Sequence, residues 1–281
     1  MMDKSSAHGF TLIEMIMAMI VTGIVAGIVA VFIANPVRGY VDSVRRADLT
    51  DAADTALRRL ARDLRLALPN SLRVTTSGGI SYIEFIMTNA GGRYRDAGDG
   101  STGGNVLDFI NTSNKTFDVL GPMPALAAGA SGDYIVVYNL GPGYSPADAY
   151  GGGNIAQVAS ISGSTVTLAT NPFAAESPPL PSPNDRFQVV PFNTRAVTYA
   201  CPTAVPGNVT RYWGYGLNTT QPTSFATGSS SPLVGNATCT VAYNANAEQR
   251  NGLISISLTL TDAQGQNSVS LFDQIHVDNS P

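Results

Sequence analysis

The chain has 281 residues, enough for one elongated domain or two small ones with a core of their own. Only 13% of them are charged and the formal charge is −4, which argues against a nucleic-acid partner. Glycine (28) and proline (17) are plentiful, as in an exported, loop-rich β protein, and the two histidines, His8 and His276, are too few for a zinc cluster.

In chain order, the first signal is an apolar run that begins at Phe10. From Phe10 to Ala34 the only charge is Glu14, and residues 15–34 carry none. At 1.5 Å per residue that stretch covers about 30 Å, the thickness of a bilayer's hydrocarbon core. A secretory signal would be shorter and cut after its apolar region, whereas the Gly9-Phe10 junction lies before this one. Glu14 at the edge of an apolar helix needs a partner. A cut between Gly9 and Phe10 would create an α-amino group four residues before Glu14, on the same helical face, able to neutralise it within one subunit or between neighbours. A carboxylate that snorkels to the membrane surface is the alternative.

The hexapeptide Gly9-Phe10-Thr11-Leu12-Ile13-Glu14 resembles the class III signal of type IV prepilins and type II secretion pseudopilins. The resemblance implies a leader (1–9) removed by prepilin peptidase after Gly9, N-methylation of Phe10, and a glutamate at the fifth mature position that acts in assembly. It implies the inner membrane as first location, with the head in the periplasm and later on a pilus or pseudopilus of a Gram-negative bacterium. Partners would be other major and minor pilins, the inner-membrane assembly platform and membrane lipid. Gly23 and Gly27 are the small residues at which helices in lipid would pack closely. Such leaders usually carry net positive charge, whereas here Lys4 is offset by Asp3.

Asn35-Pro36 follows the span and predicts a kink or break. A second, amphipathic helix is expected over 36–70, where Ala53, Leu57, Leu60, Leu64 and Leu68 recur at spacings of three and four. Arg58, Arg62 and Arg65 fall on other faces, so the basic cluster 58–65 reads as a solvated face. Asp42 with Arg46, Asp54 with Arg58, and Arg59 with Asp63 stand four apart, each pair worth a few tenths of a kcal/mol. Pro69-Asn70 closes the helix.

Past residue 75 short β-rich runs take over. Strands are predicted at 80–87, 106–110, 117–120, 134–139, 155–161, 165–169, 187–190, 197–201, 210–215, 238–243, 253–260 and 269–277. The last two form a hairpin through a turn at 262–265. The glycine-rich 91–104 and the proline-rich 172–183 read as loops, the latter a candidate division between two lobes. The fold class is therefore α+β: a long N-terminal helix, transmembrane over 10–35 and amphipathic over 36–70, packed on a mainly antiparallel β head (71–281) of two sheets or lobes. Segments 35–46, 56–65 and 210–215 are also similar to minor pilins of mannose-sensitive haemagglutinin (MSHA) pilus biogenesis, and in layout to J-type minor pseudopilins of type II secretion. These imply a low-copy subunit that starts or caps a fibre, or one that supports protein export.

In the head, Cys201 and Cys239 can pair in an oxidising compartment; otherwise they are two buried thiols. Asp96 and Asp99, between permissive glycines, form a weak calcium candidate without the ligand series of an EF-hand. Trp213 with Tyr212 and Tyr215 offers either a sugar-stacking surface, as on a tip adhesin, or cross-strand packing. No Gly-x-Ser-x-Gly elbow, phosphate loop or zinc spacing of cysteines occurs, so neither enzymatic activity nor a cofactor is expected.

Overall fold

The computed structural model describes residues 9–96, 103–248 and 251–280. By compactness the chain divides into two units, residues 1–48 and 49–281. A single helix, α1, runs over Leu12–Arg65. The break expected at Pro36 is not found: the proline forfeits one hydrogen bond, and the helix continues on either side of it. The C-terminal end comes at Arg65, four residues before Pro69, through Leu66 N–H and Ala67 N–H bonds back to the Asp63 and Leu64 carbonyls.

In the first unit the side chains of α1 from Leu12 to Ile33 are nearly all exposed, apolar as they are. In the second unit the helix has a buried stripe of Ala53, Ala56, Leu57, Leu60, Ala61 and Leu64. That stripe forms one core with Phe85, Val197, Tyr199, Ile254, Ile256, Leu258, Ile275 and Val277.

These strand residues belong to an antiparallel seven-stranded sheet in the order β1 (Arg73–Ser77), β2 (Ile80–Ile86), β9 (Ala196–Pro202), β10 (Gly207–Trp213), β11 (Ser229–Glu248), β12 (Asn251–Thr261) and β13 (Ser268–Asp278). Alternation explains it: β12 buries Ile254, Ile256, Leu258 and Leu260 and leaves the residues between half-exposed. The predicted terminal hairpin is present, its turn closed by Gly265 N–H to the Asp262 carbonyl. Strand β1, not predicted, joins β2 through Gly78-Gly79, both with positive φ, the backbone that a two-residue hairpin needs.

The strands between β2 and β9 close into a separate antiparallel barrel: β3 (Ala90–Tyr94), β4 (Thr116–Leu120), β7 (Thr165–Leu168), β6 (Ile155–Ser162), β5 (Tyr134–Val136) and β8 (Arg186–Val190). Phe117, Phe187, Tyr94, Ile135, Val158 and Val166 fill it. Three expectations change here. The segment 172–183 joins β7 to β8 inside the barrel, so the two sheets meet instead around residues 87–89 and 191–195. The glycine-rich stretch contains β3, because a Cβ on Gly92 would lie 2.6 Å from the Phe187 ring. Residues 106–110 are not a strand, since Asp108 Oδ1 accepts from Ile110 N–H at 2.7 Å and Asn111 N–H at 2.9 Å, folding a turn instead.

Candidate processing and assembly site

Gly9, Phe10 and Thr11 precede the first helical residue, Leu12, and Phe10 is 84% exposed. The Gly9-Phe10 bond is therefore not locked into a helical hydrogen-bond ladder, and a protease can take it in extended form. Thr11 caps the helix: its Oγ1 accepts from Glu14 N–H at 3.3 Å, while Glu14 Oε2 accepts from Thr11 N–H at 3.1 Å and from Thr11 Oγ1 at 3.0 Å. This is a reciprocal capping box, and its Thr-x-x-Glu signal was present in the sequence. Phe10 thus stands outside the helical geometry from which its pairing with Glu14 was reasoned, and the carboxylate is held by Thr11.

Beyond Glu14, α1 is long and apolar enough to cross a membrane. A Cβ added to Gly23 or Gly27 would meet nothing within 4 Å, so both positions are open surface on the single chain.

Two clusters in the head hold charge away from water. Asp63 on α1 accepts from Arg211 Nε and from the Tyr199 hydroxyl, both at 2.8 Å. The Arg211 guanidinium lies 4.9 Å from the centre of the Trp213 ring. The expected Asp54–Arg58 pair forms at 2.8 Å, Asp42 lies 4.0 Å from Arg45, and Asp63 turns to the sheet. In the second cluster Glu84, fully buried, accepts from Arg73 Nε at 2.6 Å and from the Tyr215 hydroxyl at 2.9 Å. Burial pushes the Glu84 carboxyl up, and the bonds from Arg73 and Tyr215 pull it back. Arg73 also donates to the Thr219 and Asn218 carbonyls, each at 2.7 Å, and lies 3.6 Å from the centre of the Tyr150 ring. Tyr150 comes from the barrel connection and donates to the Ser71 carbonyl at 3.0 Å, so this cluster ties barrel to sheet.

Cys201 on β9 and Cys239 on β11 are joined by a disulfide with Cα atoms 5.8 Å apart, and Cys239 lies beyond the Gly207–Ala237 pair at which β10 begins. Tyr212 stacks on Phe225 at 4.3 Å and Tyr215 meets the same ring edge-on at 4.9 Å. With Trp213 against Arg211, these aromatics are engaged in packing within the head. Asp96 closes the described part of its loop; Asp99 lies outside the described residues, as do His8 and the rest of the leader before Gly9. Among the described residues no three His, Cys, Asp or Glu side chains gather as a metal group.

Residues 4–30 match the family model described as the prokaryotic N-terminal methylation motif. No curated protein and no solved structure matches the chain significantly. The motif, on an apolar N-terminal helix followed by an antiparallel β head, supports a type IV pilin-like protein, pilin or pseudopilin. It implies processing by prepilin peptidase and assembly with other pilins, and it fits a membrane-anchored chain with a soluble head. A family with this motif is typically structural.

Proposed function

We propose that the chain is a minor pilin of the MSHA type, similar to the biogenesis protein MshO, that takes part in starting or capping a type IV pilus. The matched motif around Gly9, Phe10 and Glu14, set at the head of a charge-free run long enough to span the inner membrane, carries the pilin-like class, and the similarity of segments 35–46, 56–65 and 210–215 to MSHA minor pilins favours the finer assignment. Prepilin peptidase cuts after Gly9 and methylates Phe10, and the head stands in the periplasm until the subunit enters the fibre. In lipid, close packing at Gly23 and Gly27 and pairing of Glu14 with an N-terminal amine, its own or a neighbour's, hold the helices together. The Thr11 cap on Glu14 is then an arrangement of the uncut chain that the new amine replaces.

Mass spectrometry of the mature N-terminus tests the processing. It should find methylated Phe10 first, and recovery of intact Met1 from native fibres would sink the proposal. Glu14→Ala should leave membrane insertion unchanged and reduce incorporation into the fibre about tenfold or more, as judged by immunoblot of sheared fibres. Deleting the gene separates the MSHA role from the J-type alternative: loss of pili with intact protein export supports the first, and the converse supports a secretion pseudopilin.

A further inference from the structure

A closed barrel has no edges, whereas the seven-stranded sheet has two, β1 and β13. At β1 the edge is five residues long and engaged: Gln221 Nε2 donates to its Arg73 carbonyl at 3.5 Å, and Thr75 Oγ1 donates to Gln221 Oε1 at 2.8 Å. By contrast β13 is eleven residues long, and among the described residues its one strand partner is β12.

Side-chain contacts along the hairpin identify the backbone groups of β13 that face outward. Gln274 N–H donates to Asp273 Oδ1 at 2.9 Å, the local bond of an amide turned away from β12. Pairs that do not exchange ladder bonds bring their side chains closest. Thr259 and Ser270 hydroxyls lie 2.7 Å apart and Gln274 Nε2 reaches Ser255 Oγ at 3.3 Å, as such pairs should. Alternation then turns the N–H and C=O groups of Ser268, Ser270, Phe272, Gln274 and His276 to the open side. The side chains of those same residues are exposed, Phe272 by 64%, whereas those on the opposite face are half-buried at Val269, Leu271 and Asp273 and buried at Ile275 and Val277.

We propose that β13 is an assembly edge, to which an extended segment of a different pilin-family subunit in the same fibre adds as an eighth strand. Main-chain bonds supply the attachment, and an apolar side chain of the incoming strand covers Phe272. Charge argues against a second copy of this hairpin: residues 251–280 hold Asp262, Asp273 and Asp278 and no lysine or arginine, so self-pairing sets acid against acid. The incoming strand therefore carries a basic residue near Asp273, whose carboxylate gives up the Gln274 amide as the strand arrives.

This inference rests on the proposed role as a fibre subunit. Its test places a photo-crosslinking residue at Ser270, and separately at Val25 on the apolar helix, in the full chain in cells that assemble the fibre. Both positions should give adducts with pilin-family subunits, the Ser270 adduct with a chain other than its own. Gln274→Pro removes an outward amide and no backbone bond to β12, only the side-chain contact to Ser255, and should lower the Ser270 adduct about tenfold while the Val25 adduct persists. Phe272→Lys, which leaves every backbone bond in place, should lower it as well if the proline variant fails to fold. Adducts from Val25 with none from Ser270 overturn the edge and leave the fibre role standing, and adducts from neither overturn both. A Ser270 adduct between two copies overturns the choice of partner.

Discussion

At the scale of single residues, the head keeps carboxylates in low-dielectric surroundings under two different arrangements. Glu84 has a cation within 2.6 Å, so its burial is compensated. Arg73→Ala would leave that carboxylate buried without its cation and should cost about 3 to 5 kcal/mol in denaturant unfolding. Adding Glu84→Gln should recover part of the loss. Glu176 is buried, among the described residues its hydrogen-bond partner is the Leu180 N–H on Oε2 at 3.2 Å, and desolvation pushes its carboxyl up to about 7. A folded-state value above the unfolded one means that the native head binds the proton more tightly. Its contribution is present in full below the ordinary carboxylate range and is lost as pH rises toward 7. Glu176→Gln should therefore stabilise the head at pH 8 by on the order of 1 to 2 kcal/mol and flatten its stability between pH 5 and 7, as followed by thermal unfolding across pH.

At the scale of elements, the seam between α1 and the sheet has its centre at Leu64, fully buried among strand residues. Leu64→Ala should lower stability by about 2 to 5 kcal/mol, whereas Arg58→Ala on the solvated face should change it by less than about 0.5. The helical stripe from Ala53 to Leu64 and nearly every long apolar alternation were legible in the sequence, because each element needs one dry face and its period reports that face. Strand β3 was hidden since its glycines serve a packing purpose, close approach to Phe187, and resemble the glycines of a loop. Residues 106–110 had strand composition, and a local Asp108 turn outcompeted pairing. At the candidate site the motif, the apolar run and both cysteines were readable. Less legible were the Thr11 cap and the Arg73–Glu84–Tyr215 cluster, in which Arg73 meets Glu84 across the hairpin of β1, a strand without a clear apolar alternation, and Tyr215 joins them from 131 positions away only through the fold.

At the scale of the whole molecule, the Cys201–Cys239 bridge closes a segment of 38 positions and staples β9 to β11. Replacing both with serine should cost roughly 3 to 4 kcal/mol in the chain-entropy model, measurable as an equal loss under oxidising conditions and no loss relative to the reduced wild type. Because the barrel is spliced between β2 and β9, Ile86 must find Ala196 about 110 positions downstream. In an unstructured chain that search is entropically remote. Once Ala90 has zipped to Val189, the same ends are separated by only a handful of residues, and the closure penalty drops by roughly 2 kcal/mol. The inserted module thus acts as an internal clamp, so lesions in the Phe117–Phe187 interior should slow the rate at which the neighbouring sheet, itself untouched, completes its fold.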